Sequence, residues 1–175
     1  MNRATSVALK VKNMSQIAEK NAVAEVLTGL IQESANLYCK DLEATPDEVL
    51  AASQDGKARS ILAFTAETIG FNYMIASVLT GENKPMPTAE ERESFSASIN
   101  SKAAAIGGLQ ASVGALTAAI EMVDGGDWLT VVMAPWGMEA TKANLCGWAA
   151  MHTTYHDGQV NLVQVLNGDT DVHWM

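Results

Sequence analysis

One helical seam constrains this chain more than any other feature. Leu145, Ala149, His152, His156, Gln159, Val163 and Leu166 succeed one another at alternating steps of four and three residues, the spacing that places side chains on one face of an α-helix. The seam is apolar at both ends and polar in the middle. A buried polar group costs free energy unless it is hydrogen-bonded or binds something, so His152, His156 and Gln159 mark an internal site. Lys142 to Leu166 is expected to form one long helix, capped by Thr141 and stopped at Asn167-Gly168.

Three further long segments carry the same period. Ser15 can cap a first helix with Ile17, Ala24, Leu27, Ile31 and Tyr38 inward, ending near Lys40. Thr45-Pro46-Asp47-Glu48 reads as a capping box opening a short helix through about Ala52, closed by Asp55-Gly56. Lys57 to Thr80 carries Ile61, Phe64, Phe71, Ile75 and Val78 on one stripe and stops at Gly81 and the Pro85 and Pro87 linker. Thr88 with Glu91 caps a third long helix that runs, with a break near Ser96, to Val123, its stripe being Ile99, Ala103, Ile106, Val113, Leu116, Ile120 and Val123. Trp128 to Met138, apolar and holding Pro135 and Gly137, is expected to pack as an irregular lid or short strand over an open end of the core.

Four amphipathic helices of bundle length and no convincing alternating strands define an all-α, four-helix bundle. A chain of 175 residues with no composition break is expected to be a single domain over 1–175, with its core at about 15–168. Its net charge of -9, with basic residues scattered, argues against a nucleic-acid footprint. Cys39 and Cys146 form no CxxC pair, which points to reduced thiols and a cytoplasmic location. The small residues of Ala103 to Ile120 suit close helix packing better than a membrane span. Trp128, Trp136 and Trp148 are expected in the core or lid, and Trp174 at a subunit contact.

His152 and His156, four residues apart on one helix, can ligate one ion. A third protein ligand would have to come from a facing helix. Glu67 is the candidate by pattern. Either it projects into the apolar stripe one turn from Phe64 and Phe71, where it must be paired, ligated or protonated, or it lies just off the stripe and reaches solvent. His173 follows a glycine stop and is a poorer candidate, and Cys146 points to another side of its helix. No phosphate loop or nucleophile elbow is present in the chain.

The segment LCGWAAMHTTYHDGQVNLVQVLNG resembles the last core helix of the DinB-like (DinB/YfiT) superfamily, whose hallmark is His-x-x-x-His followed three residues later by Gln. SILAFTAETIGFNYMIASVLTGE looks like the second helix of that family, and the resemblance spans about residues 15 to 168. It implies a bundle, often a homodimer, holding a divalent metal (Zn, Ni, Fe or Mn) and acting on thiol or other small-molecule substrates as a transferase or isomerase. It implies His152 and His156 as ligands, with Gln159 and Tyr155 beside them. Where the family has Leu-Ala-His-Ile-Ala-Glu this chain has Leu62-Ala63-Phe64-Thr65-Ala66-Glu67. Phe64 thus stands at the family's histidine position, and Glu67 could complete a two-histidine, one-carboxylate site in its stead. The alternative is a degenerate, non-catalytic ligand-binding or interaction protein without metal. The resemblance assigns no catalytic residue.

Overall fold

The computed structural model describes residues 3–53, 56 and 58–173, with side chains from Ala22 onward. The expectations for the side chains of Ser15 and Ile17, for Asp55 and for Trp174 lie outside these residues. Six helices and two short strands follow in the order α1 (Arg3–Ala44), α2 (Asp47–Ala51), α3 (Ile61–Leu79), α4 (Ala89–Ser98), α5 (Lys102–Glu121), β1 (Val131–Met133), β2 (Glu139–Thr141) and α6 (Lys142–Leu166). The fold is all-α. In the bundle α1 lies between α5 and α6, and α3 lies between the same two on the opposite side.

Local chemistry sets the boundaries. α1 passes through Ser15 instead of starting there, because no glycine or proline interrupts the chain before Gly29. It continues past Lys40 to Ala44, and there the Thr45 hydroxyl donates to the Asp41 carbonyl at 2.6 Å. That bond removes Thr45 from the expected capping box: α2 starts behind Pro46 with no side-chain cap. α3 starts at Ile61, later than expected, because the Ser60 side chain accepts from Ala63 N. The Thr88–Glu91 capping box forms with both of its hydrogen bonds. The break after it falls at Ile99, not at Ser96, and Ser101 caps a fresh helix that ends at Glu121.

The core follows the seams. Ile31, Tyr38, Ile61, Phe64, Ile75, Leu116, Ile120, Leu145 and Ala149 are buried. Ala103 lies on the exposed side of α5, whose inner face runs instead through Ala105, Leu109, Ser112 and Leu116. Leu166 is also exposed, so the inner seam of α6 ends at Val163. Gly108 permits the close approach of α5 to α3: a Cβ there would stand 2.7 Å from Ile69 Cδ1. By length and composition α3 and α5 could each cross a membrane, and both pack in the bundle, α3 with 67% of its most apolar window buried and α5 with 39%.

The expected lid is ordered as a hairpin. β1 and β2 pair antiparallel, with Val132 opposite Ala140, and the turn between them uses Gly137 at φ 83°. Trp128, ahead of the hairpin, and Ala134, in its turn, are buried. β2 runs directly into the Thr141 cap of α6, whose side chain accepts from Asn144 N.

Candidate metal centre

α3 and α6 face each other with complementary stripes. Phe64, Glu67 and Phe71 succeed one another on α3 at steps of three and four, and His152, His156 and Gln159 do so on α6 at steps of four and three. Their packing brings three donors together. His152 Nε2 lies 3.5 Å and His156 Nε2 3.8 Å from the same oxygen, Glu67 Oε1. Ligand atoms of all three residues fall within 4.8 Å of one another. Both readings of Glu67 are therefore partly realised: its side chain is 43% exposed, yet one oxygen turns inward between the imidazoles.

The donor set fits a divalent ion. Bonds of about 2.1 Å at tetrahedral angles would place neighbouring donors roughly 3.4 Å apart, and the two histidine–Glu67 separations are within a few tenths of an ångström of that. His156 Nε2 is buried and has no hydrogen-bond partner, an arrangement that costs free energy unless the lone pair binds something. His156 Nδ1 lies 2.7 Å from Gln159 Oε1. An amide oxygen can only accept, so Nδ1 carries the proton and Nε2 presents its lone pair to the site. Gln159 is oriented in turn by Nε2, which donates to the Tyr155 hydroxyl at 3.3 Å.

Electrostatics favour the forms of these three donors that could bind a cation. Burial holds the pKa of both histidines below the ordinary imidazole value; for His152 the charge of His156 adds to this, and in both cases the effect outweighs the upward pull of Glu67. Burial pushes Glu67 the other way. The hydrogen bond and charge of Arg59, with the two histidines, overcome it and leave the carboxyl below its usual range. Arg59 Nη1 donates to Glu67 Oε2, the oxygen turned away from the histidines.

Aromatic rings wall the site. Phe64 stacks on His156 at 5.5 Å between centroids, and Phe71 stacks on His152 at 4.4 Å. Trp136, at the hairpin turn, stacks on Phe71 at 5.3 Å and leans on Trp148 at 6.1 Å. The hairpin thus reaches His152 through one intervening ring. Phe64 offers no lone pair, so in this site it is wall and not ligand.

Two of the expected outsiders stay outside. His173 Nε2 pairs with Asp169 Oδ2 at 2.9 Å in the tail. Cys146 is fully buried, and burial pushes its thiol up to about 12 and that of Cys39 to about 11. Neither is a ready nucleophile.

Sequence reasoning missed Arg59 and a second polar layer one residue behind the first. On α6, Thr153, Asp157, Val160 and Gln164 form a neighbouring seam that is buried. Gln164 Nε2 donates to the Asp41 carbonyl and to Thr45 Oγ1, each at 3.0 Å, and Asn161 Nδ2 donates to Asp41 Oδ2 at 2.7 Å. These bonds tie α6 to the end of α1. The signal was available in α1 as well, where Ser34, Tyr38, Asp41 and Thr45 continue the buried stripe at steps of four, three and four. Across the bundle Tyr38 Oη meets Thr65 Oγ1 at 2.9 Å, just behind the Phe64 wall.

No protein-family model matches the chain, and no curated protein matches it by sequence. By structure it is similar to a solved mycothiol-dependent maleylpyruvate isomerase, crystallised as a histidine-to-alanine variant, with a TM-score of 0.60 and 18% identity over 78% of this chain. The chain spans 60% of the length of that protein. The likeness is one of fold.

Proposed function

We propose that this chain is a DinB-like metalloprotein in which His152, His156 and Glu67 hold a divalent ion, and that it acts as a thiol-dependent transferase or isomerase. The observation that carries this reading is the convergence of two imidazole nitrogens on Glu67 Oε1, one of them buried and without a partner. The fold shared with an isomerase named for its thiol supports the reaction class. A bound ion in such a site would lower the pKa of a coordinated thiol and supply a thiolate near neutral pH.

The residues of the chain do the rest. Gln159 holds His156 in the tautomer that binds, Arg59 holds Glu67 ionised, and Phe64, Phe71 and Trp136 keep water from the inner side of the site. Because burial leaves Cys39 and Cys146 as inert thiols, the reacting thiol comes from a small-molecule substrate. A homodimer, a single domain and a cytoplasmic location belong to the same reading.

Metal analysis of the purified protein, beside His156→Ala and Glu67→Ala, tests it. About one ion per chain in the wild type, with loss in both variants, is the expected result. Wild-type protein grown with Zn, Ni, Mn and Fe that carries none would sink the proposal and leave the non-catalytic alternative. Metal that survives Glu67→Ala would remove the carboxylate from the ligand set.

A further inference from the structure

Arg59 does more than a structural ion pair requires. It stands one residue ahead of the Ser60 cap of α3, with its side chain 54% exposed at the rim of the site. Its guanidinium carbon lies 5.3 Å from the centroid of the Phe64 ring, the same ring that stacks on His156. An ion pair this exposed contributes little to stability. Its position is more informative. Its guanidinium bonds the same carboxylate whose other oxygen lies between His152 and His156.

We propose that Arg59 is the anion-docking group of this site, and that the ligand it selects is a small mercaptocarboxylate: the carboxylate pairs with the guanidinium while the thiol sulfur reaches the open position beside His152 and His156. The inference rests on the metal-centre reading above and adds the substrate class to it. The Glu67 carboxylate sets the scale, because Oε1 faces the histidines while Oε2 accepts from Arg59. One carboxylate thus bridges the guanidinium and the place where an ion shared with the histidines would sit. A thiol and a carboxylate separated by one or two carbons span that gap.

Charge and geometry agree with this assignment. A guanidinium has five N–H donors in a rigid fork suited to carboxylate, and the hydrogen bond to Glu67 uses Nη1 alone. The flat Phe64 ring beneath holds the fork in place without competing for its donors. In a chain of net charge -9 a free acid is repelled from most of the surface, so a cation at the rim selects where it binds. With a divalent ion bound, the thiol would give its proton to solvent and bind as thiolate, with no change of oxidation state.

Cobalt(II)-loaded protein tests the assignment by spectroscopy, since a thiolate on cobalt gives a charge-transfer band independent of turnover. Mercaptoacetate and neutral 2-mercaptoethanol are titrated into wild type, Arg59→Gln and Arg59→Lys. The ratio of their affinities, acid over neutral, should fall at least tenfold in Arg59→Gln and lie between the two in Arg59→Lys. An unchanged ratio in variants that still bind cobalt overturns the docking role and leaves the metal centre standing. Loss of cobalt from Arg59→Gln assigns the arginine to holding Glu67 and also overturns it. Wild type that takes up no cobalt sinks the metal-centre reading, and this inference with it.

Discussion

Asp157 offers a test of the packing behind the site, because its carboxyl is buried against that of Asp41. Burial, a hydrogen bond to Asp41 and the Asp41 charge push its pKa up to about 8. An acid raised in the folded state contributes its full stability below the unfolded value near 3.8 and loses it as pH rises towards about 8. At 1.36 kcal/mol per unit, holding the proton at pH 7 costs up to about 4 kcal/mol relative to the unfolded chain. Asp157→Asn keeps the shape and can still donate to Asp41, with no proton to hold. We expect the variant to match wild type near pH 4 and to exceed it by up to about 5 kcal/mol near pH 7.5, a gap that grows with pH and levels off above pH 8. Urea denaturation of the metal-free proteins, followed by far-ultraviolet circular dichroism at several pH values, measures it. His152 and His156 titrate in both proteins, so their contributions cancel in the difference. A gap that does not change with pH, or a variant less stable at pH 7.5, would refute a buried, protonated Asp157.

Phe64→His places a third imidazole on the ring that now stacks on His156; chelator competition should show zinc bound at least about tenfold more tightly, and unchanged affinity would mean that position 64 does not face the ion. Gln159→Leu removes the acceptor that fixes the His156 tautomer and should weaken zinc about tenfold or more, measured the same way, with the fold checked by circular dichroism. Because burial lowers both imidazoles, protons compete for the nitrogens only at pH below the ordinary histidine range. Cobalt absorbance should therefore persist through pH 6.5 and fade below it; a midpoint above 7 would contradict the buried, neutral pair.

Much of the site was legible because helical spacing is a strong signal. His152, His156 and Gln159 declare a common face, and Glu67 shares a stripe with Phe64 and Phe71. Arg59 could not be read in this way, since it precedes the helix and its side chain reaches the site from a loop with no period. The Asp41–Asp157 layer was overlooked for a different reason: acidic residues on a helix usually face water, and only the neighbouring Ser34, Tyr38, Thr45 and Gln164 betray that these do not. The boundary errors have local causes. Thr45 serves the end of α1 and not the start of α2, and nothing ahead of Gly29 stops α1. The lid became a hairpin because Gly137 supplies a backbone conformation that its neighbours do not readily adopt.

The proposed metal site joins positions 67 and 152, and between them the chain lays down α4, α5 and the hairpin. An ion held there would act as a removable cross-link closing a long loop, so its loss would loosen the hairpin and the α3–α6 seam together, and the melting temperature would track free metal concentration. Trp136, one ring away from His152, lies within that loop. Its emission would make the closure visible without a label.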